Sequence, residues 1–220
     1  LFILNSIYQF IDRSDILSFY IIIMLFLFFV FIKLKPSLTT LTMQYAYFDM
    51  LANNRGFMHT DILIFEDTFL TRIQSKGFER IHQELKFQVF YKIINQLENV
   101  HFKGKALAII VLAYDKDVKI HSESVEQAIQ KIYIQKDPKQ EIQKQFILQF
   151  KQFSTKSEEV LEEIEEMIMY HVGPHVLIHL NVGYFNKTNE IYTIFPIKKF
   201  PNKYMYATCQ WLSDIIMIKE

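Results

Sequence analysis

The chain is 220 residues long and half hydrophobic, enough to bury one sizeable core with or without an appendage. Lys+Arg and Asp+Glu balance at 24 each, so no global field favours a phosphate backbone, and no nucleic-acid partner is expected. A single cysteine, Cys209, excludes an internal disulfide and a cysteine-rich zinc site.

From the N-terminus, Leu1, Leu4, Tyr8 and Ile11 fall on one helical stripe that could lie along a membrane surface or on a partner's helices. Residues 16–32, ILSFYIIIMLFLFFVFI, then run without a charge. At ~1.5 Å per residue they reach about 25 Å, near the short end of what crosses a hydrocarbon core of ~30 Å. Lys33 and Lys35 follow, with stems long enough to snorkel outward, and Pro36 marks the expected helix stop. The predicted organisation is therefore an anchor, residues 1–36, followed by a soluble domain, residues 37–220. A signal peptide fits poorly, because the apolar stretch is too long and lacks basic residues ahead of it and a small-x-small cleavage site. The two lysines outweigh Arg13, which has Asp12 and Asp15 beside it. The positive-inside tendency then puts the large domain on the cytoplasm-equivalent side, the matrix in a mitochondrion.

Beyond Pro36 the periodicity predicts a helix over 38–53, ended by Asn53-Asn54-Arg55-Gly56. DILIF, 61–65, reads as a short buried strand, and FERIHQELKFQVFYKIINQLE, 78–98, as a long amphipathic helix. ALAIIVLAYD, 106–115, is the clearest strand, apolar on both faces as a doubly covered central strand would be. Ser124 and Gln127 suggest a capping box for a helix over 125–134. Pro138 suits the first turn of another over 138–152, and Ser157 opens a third, SEEVLEEIEEMIMYH, running to His171. VLIHLNVGYF and EIYTIFPI flank Asn186-Lys187-Thr188-Asn189 as a hairpin. The predicted class is α/β or α+β: one N-terminal transmembrane helix, then a mixed domain with about four strands and several amphipathic helices.

The motifs that could carry chemistry resolve into quieter readings. His171, His175 and His179 are spaced by four, which on one helix would stack three imidazoles. Gly173-Pro174 interrupts that helix, so the triad cannot form as one face. If 176–185 is a strand, His179 and Asn181 share a face opposite Ile178, Leu180 and Val182. His175 and His179 are then the nearest approach to a metal set and fall short of one. The acids Glu158, Glu159, Glu162, Glu163, Glu165 and Glu166 spread over a wide helical face, solvated or facing Lys139, Lys144, Lys151 and Lys156. Asp115 follows a strand as a nucleotide-site acid can, but no GxxxxGK[ST] or GxGxxG accompanies it. Cys209 lies in ATCQW, with no nucleophile signature, and is expected to be a buried thiol. Asn186-Lys187-Thr188 is a glycosylation sequon, of consequence only in a secretory lumen. No catalytic residue and no cofactor is expected.

The 21 Phe, 12 Tyr, 5 Gly and 1 Trp are a mixture that an AT-biased genome would produce, and the chain opens with Leu rather than Met. With the IIIMLFLFFVF anchor, these features resemble the diverged membrane subunits encoded in AT-rich protist mitochondrial genomes. That resemblance implies a non-catalytic accessory subunit of an inner-membrane complex, of the respiratory chain or ATP synthase. Its partners would be other subunits of that complex and the bilayer around residues 16–32. A mitochondrial ribosomal protein is the alternative. ALAIIVLAYDKDVKI is separately similar to the strand-turn-strand of TPM domains, which implies a membrane-tethered hydrolase as a second alternative.

Overall fold

A run of apolar residues with no strand breaker between Ile16 and Leu34 satisfies its backbone most simply as a helix. The computed structural model, which describes residues 13–115, 117–119, 122–137, 139 and 141–217, forms one there. Helix α1 spans Arg13–Ala52, 40 residues or about 60 Å at ~1.5 Å each. It merges the expected anchor with the expected 38–53 helix and continues through position 36, where a stop was predicted. A proline removes one backbone donor, and the long helical runs on both sides carry the axis past that gap. The chain divides into two compact units, residues 1–48 and 49–220. The stripe of Leu1, Leu4, Tyr8 and Ile11 lies outside the described residues.

The second unit is built on one eight-stranded mixed sheet, twice the expected number of strands. In chain order its elements are β1 (Met58–His59), α2 (Asp67–Ser75), β2 (Glu79–Gln83), β3 (Phe87–Leu97), β4 (Val100–Ala113), α3 (Glu123–Lys136), β5 (Lys144–Phe153), α4 (Glu158–Glu165), β6 (Ile168–Val172), β7 (His175–Phe185), β8 (Glu190–Tyr192) and α5 (Lys203–Ile216). The spatial order is β1-β8-β7-β5-β4-β3-β2. β4, β5 and β7 are parallel, and the remaining pairs are antiparallel. One edge of β7 pairs with β5. Its other edge is shared, β6 taking residues 175–179 and β8 residues 183–185.

Several expectations are corrected. The helix predicted over 78–98 is the β2–β3 hairpin, because Phe87, Val89 and Tyr91 alternate with Gln88 and Phe90 across two buried faces, a period of two. The helix predicted over 138–152 is strand β5, and Pro138 lies outside the described residues. The helix opened by Ser157 ends at Glu165 rather than His171. Residues 168–172 turn back as β6 through Gly173-Pro174, which makes a two-residue hairpin to β7. DILIF forms turns, not a strand. Ser122, not Ser124, is the N-cap of α3, and Gln127 donates to Glu123 (3.0 Å) instead of closing a capping box. Residues 114, 115 and 117–119, expected from the TPM likeness to turn into a second strand, form no strand.

Both crossovers between parallel strands place their helices on one face of the sheet. Helix α3 packs Val125, Ala128, Ile129 and Ile132 against Leu107, Ile109, Val111 and Ile147. Helix α4 sets Ile164 over Phe185 and Tyr192. The opposite face is covered by α2 and by α5. Phe69 meets Phe150 edge-on (5.5 Å), and Tyr204 meets Phe146 (6.2 Å). β4 is therefore sheathed on both sides, and every residue from Ala106 to Ala113 is at most 1% exposed. Helix α5 was not predicted. Asn202 caps it by accepting from the Tyr204 and Met205 amides (2.9 Å each). At its far end Arg72 of α2 donates to the Ile215 (2.8 Å) and Asp214 (2.7 Å) carbonyls, satisfying oxygens a helix end leaves open.

Candidate functional site

Among the described residues, a row of buried polar groups, an open cleft and the apolar surface of α1 bear on chemistry or binding. The polar row lies on the α3/α4 face of β5 and β7, where parallel register sets Ile147 beside His179, Gln149 beside Asn181 and Lys151 beside Gly183. The predicted sharing of a face by His179 and Asn181, opposite Ile178, Leu180 and Val182, is what the strand provides. His179 Nε2 lies 3.2 Å from Gln149 Oε1, and the Gln149 amide donates to the Lys119 carbonyl (3.5 Å). Asn181 donates to the Glu166 carbonyl, while its Oδ1 is enclosed without a partner among the described residues. Lys151 pairs with Glu163 of α4.

This row carries proton-transfer groups, all of them buried. Gln149, Lys151, His179 and Asn181 are each at most 5% exposed, and none of them lines the open cleft described below. A base must come within hydrogen-bond reach of its substrate, directly or through one water, and His179 cannot. His175 sits exposed at the start of β7, four residues from His179. At ~3.3 Å per residue that is about 13 Å, too far for one ion to hold both. His171 lies on β6, edge-on to Tyr204 (5.3 Å). Among the described residues no three His, Cys, Asp or Glu side chains are grouped as a metal set.

The acid run of α4 disperses as its spacing suggests. Glu163 takes Lys151, Glu165 accepts from the Tyr192 hydroxyl, and Glu158, Glu159 and Glu162 are exposed. Its basic neighbour Lys156 pairs with Glu190 and stands 4.1 Å over the Phe57 ring; that lysine holds the Glu190 carboxyl below its usual range. Cys209 is fully buried within α5, and burial pushes its thiol far up, away from the thiolate a nucleophile needs. Tyr133, pushed up to about 12 by burial and then by Asp137, donates to Gln145 (2.7 Å) and ties α3 to β5.

The cleft, of about 700 Å³, was not legible in the sequence. It opens between the turn joining β3 to β4 and the C-terminal half of α5, and is lined by Phe78, Trp211, Lys76, Lys92, Glu98 and Asp214. Phe78 and Trp211 stack on each other (5.9 Å, 7°). Lys76 pairs with Asp214, and Lys92 donates to the Lys76 carbonyl (2.7 Å). The Glu98 carboxyl is raised by burial and secondarily by Asp214. Rings and charges here are thus spent largely on one another. The signal that could have pointed to it is the i, i+3, i+4 pattern of Tyr204, Thr208, Trp211, Leu212 and Ile215, which defines α5.

The surface of α1 is different in kind. From Ile16 to Leu34 its large apolar side chains, half-buried Val30 apart, are exposed by 37% to 66%, and its most apolar 18-residue window has a mean hydropathy of 2.7 with none of it buried. No charged residue interrupts that surface before Lys33. Comparison with known protein families, known proteins and solved structures finds no match in any of the three.

Proposed function

We propose that the chain is a non-catalytic subunit anchored by one membrane-spanning helix, and that it belongs to a complex of the mitochondrial inner membrane, of the respiratory chain or ATP synthase. The observation that carries the reading is the bare apolar surface of α1. Each buried methylene is worth about 0.8 kcal/mol, so a helix apolar on every side belongs among acyl chains or inside a protein sheath. Its exposed residues leave the first as the simpler environment. The phenylalanine- and tyrosine-rich composition favours a mitochondrial gene, and Lys33 and Lys35 favour a matrix-side domain. A structural role is supported by a sheet whose polar groups face one another behind closed helices, and by a cleft whose charges are paired internally.

Two measurements test this together. Membranes carrying the full chain are extracted with alkali, and the detergent extract is separated by native electrophoresis with mass spectrometry of each band. The chain should stay with the lipid and migrate in one large complex. Release by alkali refutes the anchor, and migration only as a free small protein refutes the subunit.

A further inference from the structure

The cleft beside Trp211 lies at one end of β3, and a second hollow, of about 520 Å³, lies at the other. That volume is within the range of small-molecule sites, about 300–1,000 Å³. Gln83, Glu84, Leu85, Gln88 and Tyr114 line it. The register sets Gln83 directly opposite Gln88, and Gln88 opposite Leu112, two residues before Tyr114. Phe87 and Val89 turn toward α3, so Gln88 points to the other face of the sheet. The Tyr114 amide donates to the Lys86 carbonyl (2.8 Å), which fixes that residue just beyond the carboxyl end of β4. Crevices outside the carboxyl ends of strands are where open α/β sheets take their ligands.

The polar groups of this hollow are unequally satisfied. Gln88 is 9% exposed, and its Oε1 is enclosed without a partner among the described residues, a costly state for a buried acceptor. Glu84, by contrast, has its Oε1 3.1 Å from His82 Nε2. Burial holds the Tyr114 hydroxyl above its ordinary range, so it remains a donor, and the charges that reach it, Arg80 and Asp67, act in opposite directions. Tyr114 is 37% exposed, and Leu85, in the turn between β2 and β3, is 100% exposed. We propose that the hollow binds a flat, neutral small molecule through a carboxamide, or through the equivalent donor–acceptor edge of a nucleobase. Two facing glutamine amides are matched by a group that carries a donor and an acceptor side by side. The ring of such a ligand stacks on Tyr114 and covers Leu85. A cation would exchange its water for the single exposed carboxylate of Glu84, a weak attraction. All five lining residues lie within 49–220, so the site does not depend on the anchor.

Equilibrium dialysis of the full chain in lipid vesicles, against vesicles without protein, tests this with three uncharged probes at about 1 mM: benzamide, adenine and methyl benzoate. Methyl benzoate keeps the ring and the carbonyl but lacks the N–H that Gln88 Oε1 would accept. Benzamide or adenine should bind at least about tenfold more tightly than methyl benzoate, because a site built on hydrogen bonds rejects a ligand that leaves its groups unpaired. Benzamide alone identifies a carboxamide ligand, adenine alone a nucleobase, and both together the shared edge. Gln88→Leu should abolish the preference, and Tyr114→Leu should weaken the favoured probe about tenfold. Leu85 is fully exposed, so Leu85→Ala leaves the fold intact and should weaken binding severalfold even where Gln88→Leu does not fold. No binding of benzamide or adenine, equal binding of methyl benzoate, or a preference kept in folded Gln88→Leu would each overturn the site. Full-strength binding in both Tyr114→Leu and Leu85→Ala would overturn it as well.

Discussion

Two stretches of this molecule look alike in sequence and end in opposite surroundings. IIIMLFLFFVF in α1 is bare, with Phe26 66% exposed, while ALAIIVLA in β4 is at most 1% exposed at every position. The difference lies in what geometry asks of a cover. A strand presents two faces, and here α3 closes one while α2 and α5 close the other. A helix apolar all round presents a full cylinder, and none of the most apolar window of α1 is buried. Greasiness alone therefore does not decide burial; the shape of the element matters as well.

The sharpest way to break this contrast is to damage each region separately. Phe150→Ala, in the face under α2, should cost about 3–5 kcal/mol of domain stability, read as a fall in the urea midpoint, with membrane retention unchanged. Leu25→Arg, in the middle of the exposed run, should leave that midpoint in place. It should raise the cost of membrane insertion by about 2.5–3.5 kcal/mol, read as chain lost to the alkali-soluble fraction.

Smaller effects sharpen the domain half of the comparison. A Cβ at Gly183 would lie 2.2 Å from Ile164 Cδ1, so Gly183→Ala should cost about 1–3 kcal/mol by forcing the Ile164 side chain out of its place. Adding Ile164→Ala should recover part of that loss, a coupling visible in a double-mutant cycle. Glu98 occupies the left-handed region at φ 47°, so Glu98→Asn should gain about 0.5–1 kcal/mol. Because its carboxyl is raised in the fold, the native state holds the extra proton, and stability falls as pH climbs from the ordinary carboxylate range through the raised value. Glu98→Gln should flatten that slope in urea midpoints taken from pH 4 to 7. Glu190, held down by Lys156, has the opposite sign: its contribution is present above the ordinary range and is lost on acidification.

Where local pattern and tertiary environment agree, the sequence could be read. The charge-free run of α1, the two-sided strand at 106–113, helix α3 and the four-residue loop at 186–189 are such places. β5 was misread because Gln149 and Lys151 occupy a buried face, and polar residues there imitate the wet side of an amphipathic helix. They are tolerated inside because His179 and Glu163 meet them, partners contributed from β7 and α4, many residues downstream. β3 was misread for a related reason: lying between β2 and β4, its first half is buried on both sides, so neither period stands out. The placement of His179 and Asn181 on one face needed only strand alternation. The cleft beside Trp211 needed a helix that was overlooked, and a turn at Glu98-Asn99 brought to it by the hairpin.

One consequence concerns the order in which the chain is made. β3 and β4 are synthesised before α5, the helix that lids one of their two surfaces. Until Met205 and Leu212 arrive, Phe90 and Ile110 face water on a nascent sheet. A chain cut ahead of Lys203 would keep that face of the sheet uncovered.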